Sequence, residues 1–215
     1  MAILVAHSDG ASLLFFSTPM NHYSRITNFL YEIGTMRKLP RMHRQMLLSD
    51  DTSDTIASHS FRVAMIAWFL AKIEKADPYK VVMMALLHDM GEARTGDHNW
   101  VHKRYVKIFE DEVSKEQLDT LPFDDLKDLN TEYMVRTSKE AIITKNADLL
   151  DQILLLREYE WQGNKEATLW LKGKGKRGNA PLKRLTLPSA VKLGKQLYEV
   201  SPSEWWDNLS TSHNR

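Results

Sequence analysis

Residues 81–97 read VVMMALLHDMGEARTGD. Val81, Val82, Ala85 and Leu86 recur at helical spacing, and Asp77-Pro78 just upstream supplies an N-cap and a first helical residue. This predicts a helix with those four residues inward that arrives at His88-Asp89. An ionisable pair at the end of a buried face must find a partner or a cation, because an unpaired buried charge is very costly.

The same periodicity spreads outward from this segment. Val63, Ile66, Ala67 and Leu70 form the inward stripe of a helix over about 59–75, with His59 at its start. Ile26, Phe29, Leu30 and Ile33 mark an earlier helix that Gly34 ends. From about 132 to 162 no Gly or Pro interrupts the chain before Gly163, which predicts one long helix with Asp148 in its middle. Ser201-Pro202-Ser203-Glu204 has the form of a capping box. Short connections and almost no period-two alternation predict an all-α, single-domain helical bundle. The exception is 168–187, where TLWLK and LKRLTL flank a Gly/Lys-rich turn and fit either a small β-hairpin or a mobile loop. Residues 1–20 read as an N-terminal arm and 21–215 as the domain.

Composition narrows the function classes. The 215 residues are 43% hydrophobic and 27% charged, as for a globular chain with a real core. Lys and Arg total 29 against 28 Asp and Glu, a net charge of +1, which excludes a globally basic nucleic-acid binder and offers nothing to a membrane surface. The absence of cysteine removes disulfides, thiolate nucleophiles and Cys-ligated metals. No signal-peptide pattern opens the sequence, so a cytoplasmic protein is expected.

His59, His88, Asp89 and Asp148 come from three predicted helices. Two neutral imidazoles and two carboxylates make a mixed N/O site for one divalent cation, with Co²⁺, Mn²⁺, Zn²⁺, Fe²⁺ and Mg²⁺ all compatible. Such a site leaves room for water and a phosphate oxygen. Each residue also has an ordinary alternative: a helix-terminal or core histidine for His59 and His88, and an ion pair with Lys145 or Arg157 for Asp148.

The order H…HD…D resembles the HD-domain superfamily of metal-dependent phosphohydrolases. SHSFRVAMIAWFLA, ALLHDMGEARTGD and KNADLLDQILLL are most similar to its 5′-deoxynucleotidase-like branch, over roughly residues 26–162. The resemblance implies an all-helical fold, one metal on the four named residues, hydrolysis of nucleoside 5′-monophosphates, and a homodimer. It assigns catalytic roles to Glu92 and Asp97 beside Asp89. A carboxylate at Glu92, four residues after His88, suits proton transfer, while a surface pair with Arg94 or Lys80 is the alternative. Asp97 would touch the sugar hydroxyl, and it also suits an N-cap for the next helix. Arg44, fifteen residues before His59, matches the phosphate-gripping arginine, with Arg37, Arg41 and Arg62 as competitors. Lys103 matches a further substrate-contacting lysine.

Two departures from that branch stand out. Gln45 replaces a tryptophan that helps reject the ribose 2′-hydroxyl, which opens the choice between ribose and deoxyribose. The Pro-containing turn after the TGD becomes His98-Asn99-Trp100-Val101-His102, whose two histidines at i, i+4 offer ligands for a second metal. Gly173–Gly178 matches G-x-G-x-x-G but has no βαβ context, so it reads as a basic loop with Lys172, Lys183 and Arg184 rather than a dinucleotide site. The substrate expected is a small phosphorylated nucleotide. Rival readings are a phosphodiesterase or triphosphohydrolase on the same metal, a non-catalytic nucleotide-binding module, and a nucleic-acid contact through the basic loop.

Overall fold

In the computed structural model the described residues are 21–173 and 180–209. The helices follow in the order α1 (His22–Gly34), α2 (His43–Leu47), α3 (Ile56–Glu74), α4 (Pro78–Leu87), α5 (Glu92–Thr95), α6 (His102–Tyr105), α7 (Glu110–Leu118), α8 (Asp125–Val135), α9 (Lys139–Trp161), α10 (Lys165–Lys172) and α11 (Pro188–Glu199). No strand occurs among the described residues; Pro40 and Thr55 form an isolated bridge. The all-α expectation holds.

Local chemistry sets the helix starts. Asp77 accepts from the backbone of Tyr79 and Lys80, with Pro78 in the first turn. Thr55 and Ser58 form a reciprocal capping box that launches α3 one turn before His59. Val63, Ile66, Ala67 and Leu70 face inward as predicted. In α4 the inward set is Val81, Met84, Ala85 and Leu87, whereas Leu86 is 42% exposed. The stripe is therefore rotated relative to the sequence expectation, because α4 packs on both α3 and α9.

α9 is the central helix, buried on most of its surface and in contact with α3, α4, α8, α10 and α11. Helix α3 has the length and hydropathy of a membrane span, but half of that window is buried within the protein, and it carries His59 into the interior.

Three local expectations are corrected. The helix predicted over 132–162 is two: Arg136 takes a left-handed conformation (φ 57°) and Ser138 caps α9 afresh. Stacking of the Arg136 guanidinium on Tyr133, 5.2 Å from the ring centroid, supports that turn. The hairpin alternative for 168–187 fails, since Asn164 caps α10 through the Ala167 backbone and Pro181–Arg184 is a 3₁₀ turn. The Ser201 box opens no α-helix, only a 3₁₀ turn at Glu204–Trp206. The arm at 1–20 and most of the basic loop lie outside the described residues.

Asn146 ties the C-terminal segment to α9. Its Oδ1 accepts from the backbone N–H of Thr186 (2.9 Å) and Leu187 (3.3 Å), and its Nδ2 donates to Ile142 O and Thr186 Oγ1. Asn146→Ala leaves two backbone donors without partners, an expected loss of about 1–3 kcal/mol. Urea denaturation followed by circular dichroism reads this as a lowered midpoint at unchanged slope.

Candidate active site

Every arm of the site comes from a different local cause. His59 sits one turn into α3, and its ring is 2% exposed. His88 ends α4, and Asp89 lies in the turn between α4 and α5. Asp148 lies in the middle of α9. These three elements bring four donor atoms together. His59 Nε2 is 3.1 Å from His88 Nε2, 3.4 Å from Asp89 Oδ2 and 3.5 Å from Asp148 Oδ1; His88 Nε2 is 3.1 Å from Asp89 Oδ2. His59, His88 and Asp89 form the tightest group, with ligand atoms all within 4.8 Å of one another.

The residues fit a cation. Donors about 2.1 Å from a shared metal stand about 3.0 Å apart at right angles and about 3.4 Å apart at the tetrahedral angle. Both imidazoles are oriented from behind: His88 Nδ1 donates to Ala85 O at 2.7 Å, and His59 Nδ1 to Asp151 Oδ2 at 2.6 Å. Each Nε2 is thereby turned toward the other, an arrangement that calls for positive charge between them. The carboxylates say the same. Burial and Arg41 oppose a proton on His59, yet Asp148, Asp151 and Asp89 hold its pKa well above the ordinary histidine value.

Asp151 is a positioning residue that the sequence reading missed. It is 2% exposed and bridges His59 to Arg62, whose Nη1 reaches Glu158 Oε1 at 2.6 Å. The signal was present: Asp151 follows Asp148 by three residues, one turn along the same face of a helix.

Three of the donor residues, His88, Asp89 and Asp148, line a cleft of about 750 Å³, while His59 is buried against them. Glu92 lines the cleft at the start of α5, so a turn rather than one continuous helix separates it from His88. Its pairing with Arg94 or Lys80 does not occur: Arg94 bonds Glu32 and Glu116, and Lys80 bonds Glu132. Glu92 Oε2 is buried without a hydrogen-bond partner. Burial, then Asp89 and Asp97, push the Glu92 carboxyl up to about 9.

Asp97 caps no helix. Its Oδ2 accepts from Met42 N at 2.5 Å and stands 3.5 Å from Arg41 Nε, while Asn99 caps the 101–102 backbone in its place. Arg41 is buried and lines the cleft; Asp89, Asp97 and Asp148 outweigh the burial that disfavours its charge. Arg44 and Gln45, on α2, are not among the cleft-lining residues, and Gln45 Oε1 accepts from Asn99 Nδ2 at 2.7 Å. The difference arises because Arg41 N pairs with Asp54 O, which anchors residue 41 beside the α3 start, whereas residue 44 has already turned onto α2. Lys103 lines the cleft from α6. Lys145 lines it too and bonds Asp148 Oδ2 at 2.6 Å, so Asp148 holds its Lys145 partner and faces His59 at once.

His98 and His102 stack edge to face with centroids 5.5 Å apart. Among the described residues they gather no third His, Asp or Glu into a ligand group.

Residues 36–186 match the HD domain family. The chain belongs to that family. The HD domain here is 31% identical to the 5′-deoxynucleotidase HDDC2 of Bos taurus over 153 residues, covering 67% of this chain and 72% of that one. It is 28% identical to a 5′-deoxynucleotidase of Vibrio cholerae, over 61% and 75% of the two chains. Among solved structures, a Pyrococcus horikoshii protein superposes on this HD domain with a TM-score of 0.64 at 28% identity, covering 80% of this chain and 98% of that one.

Proposed function

We propose that this HD-domain protein is a metal-dependent phosphomonoesterase that hydrolyses nucleoside 5′-monophosphates to a nucleoside and inorganic phosphate. The observation that carries this reading is the meeting of two imidazole Nε2 atoms 3.1 Å apart with Asp89 and Asp148, at the wall of a cleft that Arg41 also lines. Its relatives' names point the same way: 5′-deoxynucleotidases at about 30% identity.

His59, His88, Asp89 and Asp148 would hold one divalent cation, which supplies Lewis acidity to a phosphoryl oxygen and acidifies water. The chain's own groups do the rest. Arg41 and Lys145, with Lys103 at the rim, neutralise the phosphate dianion, Arg41 with a planar fork of donors. The phosphate contact that the family resemblance implies for Arg44 falls in this reading to Arg41, one of its competitors. Asp97 holds Arg41 in place and lies where a sugar hydroxyl can reach it. Glu92, protonated by its surroundings, delivers its proton to the departing O5′ as the P–O bond breaks and water oxygen joins phosphorus. Gln45 is engaged by Asn99, which leaves the sugar 2′ position without the rejecting tryptophan of the deoxynucleotidase branch. The same reading expects a cytoplasmic homodimer.

The test is phosphate release from nucleoside mono-, di- and triphosphates and cyclic nucleotides, with each of Co²⁺, Mn²⁺, Zn²⁺, Fe²⁺ and Mg²⁺ restored to chelator-stripped protein. Monophosphates are expected to turn over only with metal. Turnover confined to triphosphates or cyclic diesters refutes the reading in favour of those rivals. Arg41→Ala is expected to raise KM for the monophosphate tenfold or more, in line with the loss of a charge-assisted contact of about 1.5–3 kcal/mol.

A further inference from the structure

Trp100 takes no part in the chemistry above, yet its indole borders the same cleft. One side lies on Trp170, with ring centroids 4.7 Å apart and 36° between planes. Trp170 is 5% exposed, belongs to the main core cluster, and has His43 edge-on at 5.7 Å, so the support behind the indole is fixed. Trp100 itself remains 45% exposed. A large aromatic surface is thus left open on a cleft that charged groups also line.

Hydrogen bonds from a buried side chain brace the turn that carries it. Asn99 is buried; its Oδ1 accepts from Val101 N at 2.9 Å and His102 N at 3.1 Å, and its Nδ2 donates to Met42 O at 3.1 Å. Met42 N in turn bonds Asp97, the partner of Arg41. The indole and the phosphate-facing guanidinium are therefore mounted on one short hydrogen-bonded frame, and a ligand spanning both meets pre-set groups at each end.

We propose that Trp100 is the nucleobase platform of the cleft, stacking the base of a nucleoside 5′-monophosphate on its open face while Trp170 backs the other. This rests on the nucleotidase reading and adds to it that the enzyme requires a base. Stacking is tolerant of base identity, since every base presents a π-face, so the four bases are accepted with little discrimination.

The experiment compares the wild type, Trp100→Leu and Trp100→Phe, all metal-loaded, on 2′-deoxyadenosine 5′-monophosphate and on 2-deoxyribose 5-phosphate, which lacks the base. The wild type is expected to favour the nucleotide tenfold or more in kcat/KM, chiefly through KM. Trp100→Leu shrinks that ratio by tenfold or more, and Trp100→Phe recovers most of it. A wild type without preference, a ratio unchanged in the leucine variant, or a loss shared equally by both substrates overturns the platform. Calorimetric titration of deoxyadenosine monophosphate reads the platform without turnover: tenfold weaker binding to the leucine variant supports it, and equal affinity or no binding to the wild type overturns it. Absence of phosphate release from either substrate refutes the nucleotidase reading, while the titration still judges the platform.

Discussion

Asp89→Ala is expected to lose both stoichiometric metal and phosphate release, with kcat/KM down at least a thousandfold. The carboxylate lies 3.4 Å from His59 Nε2 and 3.1 Å from His88 Nε2, so its removal leaves two imidazoles facing each other with one anionic donor fewer. A thousandfold loss corresponds to about 4 kcal/mol of transition-state stabilisation. Helicity is expected to persist, because Asp89 lies in the turn after α4 and the helices around it are capped by other residues. Elemental analysis, malachite-green detection of phosphate and far-ultraviolet circular dichroism on the same preparation check the three outcomes. Turnover at the wild-type rate by a folded, metal-free variant sinks the assignment.

Asp151→Asn carries the second large effect. The Asp151 carboxylate receives the His59 Nδ1 proton on one oxygen and Arg62 on the other. Burial pushes its carboxyl up, but His59 and Arg62 outweigh that and hold it below the usual carboxylate range, so the anion is what orients His59. The amide removes that charge with almost no change in shape. Metal affinity is expected to fall about 10- to 100-fold, as for other carboxylates behind a ligating imidazole. At saturating metal most of kcat should return, which separates positioning from chemistry. A competitive chelator titration measures the affinity, and the His59 ring ¹⁵N shifts report the tautomer. An affinity unchanged within twofold, with unchanged ring shifts, removes Asp151 from the role.

Much of this was legible along the chain because it depends on neighbours in sequence. Asp77-Pro78 opens α4 as read, since a side-chain oxygen caps amides two and three residues on. The inward face of α3 follows from 3.6-residue periodicity. The break at Arg136 was not legible: no Gly or Pro marks it, and it is held by a guanidinium–ring contact and the Ser138 cap. The hairpin alternative at 168–187 arose from alternating residues in TLWLK; Asn164, whose cap reaches Ala167, was the overlooked signal for helix.

The site divides in the same way. His88, Asp89 and Asp148 were identifiable as ionisable groups in or at the end of apolar helical runs, where burial demands a partner, and His59 through its company with them in the order H…HD…D. That Arg41 rather than Arg44 lines the cleft was not, because residue order cannot show that the Arg41 backbone is held by Asp54 O while Arg44 already lies on α2. The amino-acid order by itself determined an all-helical chain, through local caps and the spacing of apolar residues, and marked His59, His88, Asp89 and Asp148 as candidates for one shared site. Only the tertiary structure decided that Arg41, Lys145 and Trp100 share the cleft and that Asp151 stands behind His59, because these are contacts between segments far apart in sequence, set by how helices pack.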